Sequence, residues 1–438
     1  MRIDAPEIEG VRSDHDANAD IAGAGQRRDD GGRELGRHMT TAQSFLFFLI
    51  VLGGVATLLR LVSRTTATMP YPVLLAAGGI AIGLIPGVRR PAIGSDLILL
   101  AFVPGLVFEA SLAVDLAELR RRVIPISLLA TLGVFLTVSA TGAMAHYGLG
   151  LDWASSALLG SIVATTDPIA VVNLLRQVRA PLGLEAILEG ESLFNDGTGV
   201  AVFSAVLGTI LSGHPTFLDG ALRFLFVSGV GIAFGLGIGA VGVVLLRLVR
   251  EGELEIMVTL VIAYGAYLGA DVFHASGVVS VVVAGIVVAR YGSSTGRLKG
   301  TQLLGFWHVL AFVLNGILFL MVGIAVPTTR LIAIARLALG AYLIMFAARA
   351  LPVYALLGLA DIRGSSIPWT WRHMTVWGGI RGALSVALAL SVATNPHVNA
   401  TVSVLAYGMV VLSLLIQGGL LLPVADLLGL RRAAPPPS

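Results

Sequence analysis

From residue 43 to residue 424 the sequence is a succession of apolar runs, each about as long as a helix needs to cross a bilayer. Split at Pro, Gly and charged residues, they give about thirteen segments. The limits fall near 43–63, 70–86, 94–114, 123–148, 153–177, 185–212, 222–250, 253–273, 276–291, 301–326, 330–360, 370–394 and 400–424. The short runs 70–86 and 276–291 leave spanning and re-entrant readings open. Of the residues, 56% are hydrophobic and 13% charged, against about 25% charged in soluble domains. The chain is expected to be an all-α polytopic membrane protein whose surroundings are the lipid bilayer.

Both ends differ in kind. Residues 1–38 are polar, rich in Gly, Asp and Arg, and without periodicity, so a disordered tail is expected there. They do not have the plan of a secretory signal. Met39 stands just before the first run, where the true start could lie. Residues 39–430 form the membrane domain, and 431–438 a short cytoplasmic tail. The net charge of +3 implies no nucleic-acid partner, and the absence of cysteine removes disulfides and thiolate metal sites.

Arginine placement tests the segment count. With the N-terminus outside, inner loops hold Arg64, Arg120, Arg121, Arg122, Arg176, Arg179, Arg247, Arg250, Arg290, Arg297, Lys299, Arg363, Arg372, Arg431 and Arg432. Outer loops hold Arg89, Arg90, Arg223, Arg330 and Arg336. The bias of roughly three to one puts the N-terminus out and the C-terminus in, as expected of a multi-pass protein of the inner cell membrane.

An odd count of segments reads as six plus one plus six, the inverted-repeat plan of many secondary transporters. Segments seven apart carry matching helix breakers. Segment 5 has Thr166-Asp167-Pro168, and segment 12 has Gly378-Gly379-Ile380-Arg381-Gly382. Pro removes a backbone donor and glycines loosen a helix. Free carbonyls and amides at membrane depth are tolerated only where they line a cavity. Each break also holds a charged residue, which favours a functional crossing over a pair of structural kinks.

Segment 6 supplies the chemistry. Ser192, Asn195 and Asp196 share a helix face at i, i+3 and i, i+4 spacing. Asp196 lies about 16 Å in from Glu185, near the centre of a ~30 Å hydrocarbon core, and Asp167 reaches similar depth. Intramembrane acids cost about 2.5–3.5 kcal/mol each and mark ion or proton pathways. Two carboxylates, an amide, a hydroxyl and the loosened Thr166 carbonyl make a cluster of the oxygen ligands hard cations prefer. Two carboxylates in low dielectric resist being charged together, so one can hold a proton and trade it for a metal ion. Glu191 is expected to pair with Arg381, the basic residue in the middle of segment 12, whose guanidinium would otherwise be unpaired.

The stretches TTDPIAVV, EGESLFNDGTGVAVF and WGGIRGALSVALAL resemble signatures of the monovalent cation:proton antiporter-1 family, the bacterial sodium/proton antiporters related to animal sodium/hydrogen exchangers. FVPGLVFEASLAVD and FWHVLAFVLNGILFLMVG are similar to two further family segments, so the match runs over about residues 43–425. The resemblance implies that Asp196 binds cation and proton, and that Asp167, Thr166 and Ser192 line the metal site. It implies that Asn195 positions the site and marks electroneutral one-for-one exchange, with Glu191 and Arg381 a structural pair. It also implies a homodimer and two discontinuous crossing helices. No enzymatic step and no cofactor are expected, the ions being substrates. Pro104-Gly105 departs from a commoner Pro-Pro in the family. A large cytoplasmic domain after residue 432, as in the animal relatives, is not expected.

Other features read more plainly. Glu109 reads as a capping or hydrogen-bonding acid rather than a pathway acid. Asn315 is expected to bond a neighbouring helix and Arg349 to snorkel from its span. His146, His274, His308 and His397 read as loop or interfacial groups rather than pH sensors. Gly231, Gly235 and Gly239 make a small-residue seam, within or between subunits. The rival functions are a proton-coupled symporter, which needs more polar groups around the cavity, and a passive channel, which needs a ring of ligands around a pore. A membrane sensor lacks a relay domain.

Overall fold

The computed structural model describes residues 41–65, 70–85, 98–167, 169–212, 217–249, 251–291, 301–325, 332–362, 364, 366–393 and 395–430. The terminal stretches 1–38 and 431–438, Pro168, and Arg89, Arg90, Arg250, Arg297, Lys299, Arg330 and Arg363 lie outside these residues. The chain divides into two compact units, Met1–Leu52 and Gly53–Ser438. Of the first, the described part is the opening of helix α1 (Thr41–Thr65). The rest of the structure belongs to the second.

Every described element is a helix. After α1 come α2 (Tyr71–Gly83), α3 (Val103–Ala113) and a short surface helix α4 (Leu116–Arg121). Then follow α5 (Val123–Leu128), α6 (Val134–Leu149), α7 (Trp153–Ile162), α8 (Ile169–Gln177) and α9 (Leu182–Leu211). The remainder are α10 (Phe217–Leu248), α11 (Gly252–Val272), α12 (Gly277–Tyr291), α13 (Thr301–Ala325), α14 (Ala335–Ile362), α15 (Trp369–Trp377), α16 (Ala383–Val392), α17 (Ala400–Leu412) and α18 (Leu421–Leu427). Seven described helices are long and apolar enough to cross a membrane, and six shorter ones are apolar. The ambiguous runs 70–86 and 276–291 each form one unbroken helix, α2 and α12.

The ends of these helices follow from local chemistry. Asp115, Asp152 and Asn399 cap α4, α7 and α17, each side chain accepting an orphan amide of the first turn at 2.8–2.9 Å. Gly150 closes α6 in the left-handed region, φ +70°, which glycine reaches without a Cβ penalty. Pro352 lies inside α14, an apolar helix whose buried side chains include Ala348, Arg349 and Leu356.

Glycine sets the closest packing. A Cβ on Gly79 of α2 would lie 2.9 Å from Gly323 Cα of α13, and a Cβ on Gly323 would lie 2.8 Å from Gly79 Cα. The two helices therefore meet backbone to backbone, as small residues allow in membranes. The seam at Gly231, Gly235 and Gly239 is also within the chain. Added Cβ atoms there would meet Ser276 O at 2.8 Å, Val283 Cβ at 2.7 Å and Val287 Cβ at 3.0 Å, so α10 lies against α12. The opposite side of α10 exposes Leu225, Phe226, Leu236, Val244 and Leu248.

Among the described residues three π-helical turns interrupt the bundle, at Ile98–Phe102, Leu129–Gly133 and Ser413–Gly418. A π-turn disturbs the regular carbonyl ladder, and in each a side chain from another helix takes up a carbonyl. Tyr264 Oη donates to Ala101 O at 2.9 Å, Thr198 Oγ1 to Ala130 O at 2.6 Å and Trp377 Nε1 to Gln417 O at 3.0 Å. Gln417 Nε2 returns a bond to Trp377 O at 2.8 Å. Thr198 and Trp377 belong to the helices that carry the site.

Candidate functional site

Segments 5 and 12 are each two helices with a non-helical break. Segment 5 is α7 and α8, with the chain opening at Val163–Asp167; segment 12 is α15 and α16, opening at Gly378–Gly382. The breaks touch through backbone: Asp167 N–H donates to Ile380 O at 2.8 Å. Gly382 allows this approach, because a Cβ there would lie 2.8 Å from Asp167 Cγ.

The open end of α7 presents carbonyls without helical partners, the negative end of the helix dipole. Arg381, fully buried, meets it. Its Nη1 donates to Ala164 O at 2.9 Å and to Thr165 O at 3.0 Å. Its backbone N–H donates to Ser413 Oγ at 3.1 Å, tying the break to a π-turn.

Helix α9 faces the segment-5 break. Asn195 Nδ2 donates to Thr166 Oγ1 at 2.8 Å, and Thr166 N–H donates to Asn195 Oδ1 at 3.4 Å. Ser192 Oγ donates to Thr166 O and lies 3.4 Å from Thr166 Oγ1. Ser192, Asn195 and Thr166 are buried, whereas Asp167 and Asp196 keep partial exposure. Asp167 is within electrostatic reach of Asp196. The Asp196 carboxylate has no hydrogen-bond or ion-pair partner among the described residues. The five residues thus gather two carboxylates, two hydroxyls, a carbonyl and an amide where the breaks cross, a donor set fitted to a small hard cation or a proton.

The pairing of Glu191 with Arg381 is corrected. Glu191 is held by Arg349 of α14 in an ion pair: Nη2 donates to Oε2 at 2.7 Å, and Nη1 lies 2.5 Å from Oε1. A hydrogen bond between two charged groups is among the strong ones. Arg349 does not snorkel; it is 4% exposed and Glu191 1%. It reaches Glu191 past Gly379, where a Cβ would sit 3.0 Å from Arg349 Nε. Arg381 is held instead by the two backbone carbonyls at its Nη1, while its Nε and Nη2 have no hydrogen-bond partner among the described residues. These partners leave no mark in a side-chain pattern. The signal for Arg349 was present: it is the lone charge between Leu337 and Leu359.

Thr165, Thr198, Ser385 and Ser413 also carry contacts that motif reading passed over. Glu109 lies 3.7 Å from His308 Nδ1, across α3 and α13. Arg176 of α8 pairs with Glu189 and lies 3.5 Å from Glu185. Asn315 makes no hydrogen bond to the described residues. His146 bonds Leu151 O and stacks on Trp153 at a helix junction.

The family described as "sodium/hydrogen exchanger, transmembrane" matches residues 48–427. The Na(+)/H(+) antiporter ApNhaP of Aphanothece halophytica is 34% identical over 395 residues, covering 89% of this chain and 75% of that protein. The Na(+)/H(+) antiporter NhaP of Pseudomonas aeruginosa is 35% identical over 338 residues, 74% of this chain and 79% of that one. In fold, the chain is similar to the structure of the sodium proton antiporter MjNhaP1 from Methanocaldococcus jannaschii at pH 8. The TM-score is 0.72 at 19% identity, over 88% of this chain and 96% of that one.

Proposed function

The chain belongs to the sodium/hydrogen exchanger family, and from that premise we propose that it is a membrane antiporter exchanging sodium ions for protons through the cluster around Asp196. Asp196 holds either the metal ion or the proton. Asp167 and the oxygens of Thr166 and Ser192 complete the metal's shell, and Asn195 holds Thr166 in place. What carries this reading is the meeting of Thr166, Ser192, Asn195 and the two aspartates at the crossing of two broken helices.

Charge counting supports one-for-one exchange. Glu191, Arg349 and Arg381 act on one another, and Asp167 acts on Asp196; this reading counts the five groups as one site. Three carboxylates against two guanidinium groups leave one negative charge, and Asn195 adds none. One sodium ion or one proton neutralises it. A neutral loaded site crosses the low-dielectric interior more readily than a charged one, so alternating access carries one cation each way without net current. The proposal extends to thirteen spans arranged as two inverted repeats about a linking helix, a homodimer, and an inner-membrane position with N-terminus out and C-terminus in. In that position it serves pH homeostasis.

The test is Asp196→Asn in proteoliposomes, with proton movement driven by a sodium gradient and read by fluorescence dequenching. The variant should elute as folded protein and move no protons. Wild-type rates would refute the site.

A further inference from the structure

Thr165 stands just ahead of the Thr166-Asp167 pair, and three groups converge on it. Its carbonyl accepts from Arg381 Nη1 at 3.0 Å. Its hydroxyl lies 3.0 Å from Ser385 Oγ, in the first turn of α16. Its γ-methyl lies against the bare backbone of Gly199 on α9. A Cβ on Gly199 would be 3.7 Å from Thr165 Cβ, and the γ-methyl is closer still, inside any real Cβ contact. Gly199 follows Asp196 by three residues, on the same helix face. Thr165 and Ser385 are 2% and 0% exposed.

These contacts use three different parts of one side chain and backbone, and they end on three separate elements. The methyl sets how near α9 comes to the break. The hydroxyl sets the rotation of the break against α16. Serine would keep the hydroxyl and lose the spacer, and valine the reverse, so threonine alone of the three supplies both. The oxygens of Thr166 and Asp167 follow directly in the chain, and Asp196 is carried on the spaced helix. The gap between them is the gap an ion must bridge.

We propose that Thr165, through Gly199 and Ser385, is the positioning residue of the exchange site and a determinant of which alkali cation it accepts. The proposal rests on the exchange reading above. Removing the γ-methyl lets α9 close on the break and favours a smaller ion. Removing the hydroxyl leaves Ser385 without its partner and loosens the site for every ion.

The experiment measures KM and maximal rate for Li+, Na+ and K+, with the pH profile, in proteoliposomes. Thr165→Ser should shift the ratio of Na+ to Li+ KM toward lithium by about threefold or more. Thr165→Val and Ser385→Ala should each raise KM for all ions by about 3- to 10-fold, with no further loss when combined. Gly199→Ala should be inactive and Thr165→Ser should restore it, because the lost methyl makes room for the gained one. If Gly199→Ala gives no folded protein, recovery of monodisperse protein by Thr165→Ser reads the same contact. Unchanged KM values, unchanged ion ratios and no rescue in an active protein overturn the inference, as does lowered stability with unchanged ratios. A wild-type protein that moves no protons on sodium addition overturns the exchange reading instead.

Discussion

Replacing Arg349 with alanine strands Glu191. The ion pair between them is made by side chains 5% and 2% exposed, so water cannot take the arginine's place. Removing one partner of a buried ion pair costs about 3–5 kcal/mol, because the remaining charge stays in low dielectric without compensation. Arg349→Ala should therefore lower the unfolding midpoint by several degrees in a lipid nanodisc, followed by tryptophan fluorescence. The neutral pair Arg349→Met with Glu191→Leu should recover most of that loss, since it buries neither charge. A double-mutant cycle separates the two arginines. Coupling between Arg349 and Glu191 should reach about 1–3 kcal/mol. Coupling between Arg381 and Glu191 should be clearly smaller, as Arg381 spends its Nη1 on Ala164 O and Thr165 O. A wild-type midpoint for Arg349→Ala, or a larger coupling at Arg381, would refute this reasoning and restore the pairing drawn from sequence.

Asn195→Asp adds a second negative charge beside Asp196 that a single sodium ion no longer neutralises. Exchange should then respond to an imposed potassium diffusion potential, and a rate indifferent to voltage would sink the charge count. Gly382→Ala places a methyl 2.8 Å from Asp167 Cγ. Overpacking of about 1–3 kcal/mol should push the two breaks apart and cut the exchange rate by about tenfold or more, in protein that still elutes as folded. Wild-type exchange by Gly382→Ala would mean that the crossing tolerates more slack than its geometry allows.

Much of the architecture is legible because lipid leaves few choices. Apolar runs mark helices, and charged residues beside Pro or Gly inside two such runs mark the breaks at 163–167 and 378–382. The grouping of Ser192, Asn195 and Asp196 is visible as helical spacing, and the approach of Thr166 to them is a consequence of α7 stopping short. The choice of partner for Glu191 was not legible, although Arg349 stood out as a lone charge. Arg349 and Arg381 both stand in apolar spans, and sequence favours the one inside a motif. What decides between them is the free carbonyl end of α7, a backbone feature without a residue signature. The π-turns are hidden for the same reason, as their carbonyls are taken up by Thr198, Tyr264 and Trp377 of other helices. Thr165 was passed over because its contacts are a methyl against an absent side chain and a hydroxyl 220 positions away.

The glycine contacts of α2 with α13, and of α10 with α12, bring those helices together on bare main chain and valine side chains at their closest points. Nothing titrates there, so acidity and salt leave that cohesion unchanged. The broken helices are joined through hydroxyls, amides and guanidinium groups around two carboxylates, Asp167 and Asp196, whose charge follows acidity. A molecule whose cargo is acid keeps its chassis deaf to acid, and confines its responsiveness to the few parts that must feel the load.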